Sequence, residues 1–170
     1  MAVIRLRASA VLVFTLSLLA LLVSSSSAQE AKGVRRIEIP HRAGFYGSLE
    51  SRVITSQKQL EDLLKTFEKR AGGGDFVEAI QKAKVALSSS EVLVLIRHEE
   101  GSGSIQVTFA PTEANGNKLV CKIQRKVPAF QTLDFAHYCL ALAIPLFQFT
   151  EVEVIVDGKQ REVLKVALSK

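Results

Sequence analysis

Two cysteines, three histidines and a lysine-rich strand are the residues of this sequence whose types could do chemistry. Cys121 and Cys139 stand 18 residues apart, and a bridge closing a loop of that size would contribute about 3 kcal/mol in the chain-entropy view. Strand phase works against it. Cys121 shares a face with Leu119 and Ile123, whereas Cys139 lies opposite the large set Tyr138, Leu140, Leu142 and Ile144. The two therefore face different sides unless a bulge intervenes. A disulfide between Cys121 and Cys139 and a pair of buried free thiols both stay open at this point. A nucleophilic role has little behind it, because only His137 is spaced to lower a thiol pKa.

The histidines are His41, His98 and His137. His98 precedes Glu99 and Glu100, and Asp134 lies three residues before His137, so a mixed imidazole and carboxylate site for a metal-dependent hydrolase can be drawn. Neither His-Glu-x-x-His nor Cys-x-x-Cys is present, and no metal or cofactor is assigned. Gly101-Ser102-Gly103 is not Gly-x-Ser-x-Gly, and Gly72-Gly73-Gly74 lacks the Lys-Ser/Thr of a phosphate loop. Glu99 and Glu100 are adjacent, hence on opposite strand faces, which is wrong for a glycosidase pair. No catalytic residue is assigned. What remains is surface: Lys118, Lys122, Gln124 and Lys126 line one strand face beside Arg125, and Glu99, Glu100 and Ser102 occupy a polar turn. Glu99, Glu100, Ser102, Lys118, Lys122 and Lys126 are the candidate contact residues, and a solvated sheet face is the bland alternative.

Those residues need elements to position them. Residues 35–39 and 51–54 read as short strands, the first ended by Pro40. Ser56 with Gln59 has capping-box spacing, and Leu60, Leu63, Leu64 and Phe67 recur on one helical face. Residues 71–74 end that helix, and Asp75 with Glu78 repeats the capping arrangement for a second over residues 76–84. Residues 92–96 are apolar throughout, as in a strand covered on both faces, whereas residues 104–109 and 119–124 alternate. Residues 99–103 read as a hairpin connection, and Asn115-Gly116 and Asp157-Gly158 as hairpin turns. In the last hairpin Val152, Val154 and Val156 are expected to face Leu164, Val166 and Leu168. The expected architecture is α+β: a largely antiparallel sheet of six to eight strands with two N-terminal helices packed on one face.

Residues 1–28 have the pattern of a secretory signal peptide, with Arg5 and Arg7, an apolar run over residues 10–23, and small residues ending at Ala28. Cleavage is expected after Ala28, leaving a polar leader at residues 29–33 and a single globular domain at residues 34–170. Removing Arg5 and Arg7 lowers the net charge from +5 to +3, which speaks for an anionic surface only mildly and not for nucleic acid. The expected location is secreted or periplasmic, with membrane contact during export alone.

Residues 53–57 running into the Leu60 helix, Asp75-Phe76, the buried strand at 92–96, a Gly-Ser turn followed by Ser104-Ile105, and a late apolar strand ending Ala143-Ile144-Pro145 together resemble the C-terminal domain of the bacterial protease-complex subunit PrcB. The resemblance spans about residues 51–168. It implies an extracytoplasmic, non-catalytic accessory role and supplies no active site. The expected function is thus an exported binding or accessory domain whose partner is an envelope protein or an anionic envelope component. A small hydrolase using His98 or His137, or a structural envelope protein, are the alternatives.

Overall fold

In the computed structural model, which describes residues 30–87 and 89–166, strands and helices follow in the order β1 (Arg35–Ile37), β2 (Arg52–Ile54), α1 (Gln57–Glu68), α2 (Gly73–Ala83), β3 (Glu91–Glu100), β4 (Gln106–Phe109), β5 (Glu113–Asn115), β6 (Lys118–Lys126), β7 (Ala136–Pro145), β8 (Glu151–Val156) and β9 (Lys159–Lys165). The expected signal segment at residues 1–28 and the hairpin residue Leu168 lie outside the described residues. A 3₁₀ turn, Gly44–Ser48, joins the first two strands. The fold is α+β with extensive antiparallel pairing, but two parts of the expectation need correction. The helices are not N-terminal to the sheet, since β1 and β2 precede them and pair within it. The strands form two sheets: β1-β7-β3-β2, and β4-β6-β8-β9 with β5 also on β6.

Side-chain size on β7 explains the layering. Tyr138, Leu140, Leu142 and Ile144 point between the sheets, where they meet Val92, Val94 and Ile96 of β3 and Leu119, Cys121 and Ile123 of β6. Cys139, Ala141 and Ala143 point the other way, and these small residues let the helices approach closely, so Leu63, Phe67, Phe76 and Ile80 pack over them. The result is helices, sheet, sheet. Because β3 and β7 are the middle layer, both are apolar on both faces. The second sheet is open to water outside and keeps the alternating pattern.

Helix α1 begins as its sequence dictates: Ser56 Oγ accepts from the Gln59 amide at 3.3 Å, and Gln59 Oε1 accepts from the Ser56 amide at 3.3 Å. Helix α2 departs from expectation. It starts at Gly73 rather than at an Asp75 cap, with Gly72 at φ 78° as the preceding residue. The reason is contact: a Cβ on Gly73 would lie 2.0 Å from the Phe67 carbonyl oxygen, so only glycine lets α2 begin against the end of α1.

The connection after β3 is also not the expected hairpin. β3 pairs with β2 and β7, whereas β4 pairs with β6, so residues 101–105 cross from one sheet to the other. β3 already has β2 on one edge and β7 on the other, so it has no free edge for β4 to join. The same crossing recurs from β6 through β7 to β8, and as a result β6 and β8 run parallel. The turn at Asp157-Gly158 does join β8 to β9, with Val152 opposite Leu164, but an irregularity between Val154 and Ile155 places Val154 opposite Glu162.

Candidate functional site

One end of the molecule gathers most of the polar residues singled out from the sequence. β3 ends there at Glu100, β6 ends at Lys126 and β7 begins at Ala136. Alternation on β3 sends His98 and Glu100 toward the second sheet, and Arg97 and Glu99 toward the helix side.

Glu100 is the centre of the first set. Its side chain is only 3 % exposed and receives Arg125 Nε at 2.5 Å, Arg125 Nη2 at 2.8 Å and His98 Nε2 at 2.6 Å. Arg125 extends the network to Asp157, whose Oδ1 also accepts from the Arg125 amide at 3.2 Å. Burial alone would raise the Glu100 pKa, but the hydrogen bonds from Arg125 and His98 outweigh it and hold the carboxyl below its ordinary range. His98 is therefore part of a strand and a buried network, not of a solvated hairpin tip. On the other face Arg97 pairs with Glu99, and His137 Nδ1 lies 3.4 Å from Glu99 Oε2, opposite Glu99 in the strand register. Arg97, His98, Glu99, Glu100, Arg125 and Asp157 line an open cleft of about 1040 Å³ between the segment entering β2 and the β8–β9 hairpin. Among the described residues no three His, Cys, Asp or Glu side chains stand close enough to hold a metal ion.

Ser102 is buried in the crossing segment, where the sequence suggests an exposed loop. Its Oγ lies 2.8 Å from Ser104 Oγ and 3.1 Å from Thr132 Oγ1, and accepts from the Thr132 amide at 2.9 Å. Ser104 N donates to Thr132 Oγ1 at 3.1 Å, and Gly103 N to Asp134 Oδ1 at 3.1 Å. Segment 102–104 thus grips the loop at residues 127–135 that leads from β6 to β7. Ser102 serves as a hydrogen-bonding post whose own partners, Ser104 and Thr132, include no imidazole or carboxylate to activate it.

The gripped loop itself carries the feature that sequence reading passed over. Phe130 is 91 %, Leu133 103 % and Phe135 70 % exposed. Three fully presented apolar side chains on one loop depart from an ordinary soluble surface, where large hydrophobes occur singly. Pro128 after Lys126 and the loss of any helix or strand period over residues 127–135 are the sequence signals that they lie in a loop.

Two lysines of the ridge are neutralised by neighbouring carboxylates. Lys118 Nζ lies 3.1 Å from Glu151, which also pairs with Lys165, and Lys122 Nζ lies 2.6 Å from Glu113. Lys126 is exposed at the root of the apolar loop, well along the strand from that paired group. Cys121 and Cys139 are free and buried, Cys121 between the sheets and Cys139 beneath the helices. Burial pushes the Cys121 thiol up to about 12 and Cys139 higher. No family model, curated protein or solved structure matches the chain.

Proposed function

We propose that the chain is an exported, non-enzymatic binding domain that meets an envelope partner with the loop at residues 127–135. The observation that carries this reading is the combination of exposed Phe130, Leu133 and Phe135 with a polar anchor in which buried Ser102, together with Ser104, holds Thr132 of the same loop. A loop that is tied at its base by these hydrogen bonds while presenting apolar side chains loses little conformational entropy when a partner covers it. The signal-like residues 1–28 support export. The engagement of Glu99 and Glu100 in ion pairs, and of Ser102 in a hydroxyl network, supports a positioning role for the three residues in place of a catalytic one. An accessory subunit of an envelope protease complex, which the resemblance implies, is one version of this function.

The test is capture from an envelope extract by the full chain and by a Phe130→Ser/Leu133→Ser/Phe135→Ser variant of unchanged thermal midpoint. Capture that the variant abolishes supports the loop as the contact. Equal capture by both proteins moves the contact elsewhere.

A further inference from the structure

Resting on that reading, we propose that the partner of the 127–135 loop is the surface of an anionic lipid bilayer, into which Phe130, Leu133 and Phe135 insert. Exposures of 91 %, 103 % and 70 % leave these side chains without protein beside them, so the loop is a protrusion and its complement must surround it. A bilayer interface does this for any convex apolar loop, and phenylalanine and leucine are side chains that interfacial segments use.

The electrostatics of this end fit the same occupant. Its acids are turned inward or paired: Glu100 is held by His98 and Arg125, Asp157 by Arg125, and Glu99 by Arg97. Asp134, lying between Leu133 and Phe135, is drawn back onto the Gly103 amide beside the Arg42 guanidinium. The cations point outward. Lys126 is exposed at the loop root, and Lys159 is exposed at the start of β9, on the hairpin whose Asp157 amide donates to the Ile123 carbonyl of β6. An apolar tip flanked by exposed lysines with its acids internally engaged is complementary to phosphate headgroups above acyl chains. A protein pocket would need a matching concavity; it is the rival outcome of the test.

The chain contains no Trp, so Phe130→Trp supplies a single fluorescent reporter at the tip. Phe147→Trp supplies one beyond the opposite end of β7, at another exposed apolar position. Each full-length protein is mixed with vesicles of phosphatidylglycerol and phosphatidylcholine and with vesicles of phosphatidylcholine alone. The expected result is a blue shift and quenching by brominated acyl chains for Phe130→Trp with the anionic vesicles, and neither change for Phe147→Trp. Sedimentation with anionic vesicles should weaken about fivefold for each of Lys126→Gln and Lys159→Gln, and at least about tenfold for Leu133→Ser/Phe135→Ser. Unmoved Phe130→Trp emission, or a shift at residue 147 in its place, overturns the proposal. If emission at residue 130 stays unmoved while the triple serine variant still loses capture from envelope extract, lipid insertion fails and the binding function stands.

Discussion

Glu100 on β3 and Arg125 on β6 join the two sheets through a two-pronged ion pair, Nε to Oε1 at 2.5 Å and Nη2 to Oε2 at 2.8 Å. The carboxylate is buried, the guanidinium only partly so, and His98 occupies the remaining approach. The pair fixes the spacing of the sheets at the end that carries the apolar loop.

Removing the carboxylate should leave a partly dry guanidinium without its partner. Glu100→Ala is expected to cost about 3 kcal/mol, whereas Glu100→Gln, which keeps shape and loses charge, should cost about 1–2 kcal/mol. Urea denaturation measures both. Equal midpoints for wild type and Glu100→Ala would falsify a structural role for the pair.

The same carboxyl sets a pH dependence. Its folded pKa lies below the ordinary 4.5 because the bonds from Arg125 and His98 overcome burial. The unfolded chain then binds the proton first as pH falls, so this contribution is complete above about pH 4.5 and is lost as pH drops through the lowered folded value. Stability measured against pH should fall less steeply below pH 4.5 in Glu100→Gln than in wild type. Parallel profiles would exclude Glu100 as the source.

Adjacent glycines at the start of α2 should respond in opposite directions. Gly73→Ala brings a Cβ to 2.0 Å from the Phe67 carbonyl oxygen and is expected to cost more than about 2 kcal/mol. A Cβ on Gly74 meets nothing within 4 Å, and Gly74→Ala should stabilise by about 0.5 kcal/mol. Thermal melts of the two single variants decide this, and a stable Gly73→Ala protein would show that the helices can slide apart.

Thiol chemistry gives a separate check. β7 itself stands between Cys139 on the helix side and Cys121 in the inter-sheet core, so both should titrate as free thiols in denaturant without reductant. In the native protein, with both thiols raised by burial, reaction with an aromatic disulfide at pH 8 should be slow until the chain opens. Fewer than two thiols in the denatured sample would point to oxidation.

Local rules made part of this molecule readable in advance. The Ser56 and Gln59 cap, the alternating sizes on β7, the doubly covered β3 and the Asp157-Gly158 turn each depend on residues close in sequence. Sheet membership does not. Whether β4 continues beside β3 or joins β6 depends on which neighbour has a free edge, and periodicity carries no record of that. Of the candidate site, the turn residues Glu99, Glu100 and Ser102 could be picked out from the sequence, but their partners Arg125 and Thr132 come from distant segments and could not. The apolar half was hidden because exposure, unlike hydrophobicity, is a property of the folded surface: Phe130 reads the same in a core and on a tip.

The parallel pairing of β6 with β8 has a consequence for the order of assembly. The strand between them, β7, belongs to the other sheet and pairs with β3, some forty residues earlier in the chain. Residues 118–123 and 151–156 therefore cannot zip from a turn, and must wait until β7 has settled against a distant strand. Loop closure precedes most of the reward, a topology that places folding toward the slow end, roughly milliseconds to seconds. If the chain is exported unfolded, as proposed above, such delay keeps it threadable, and the Glu100–Arg125 pair closes only after both sheets exist.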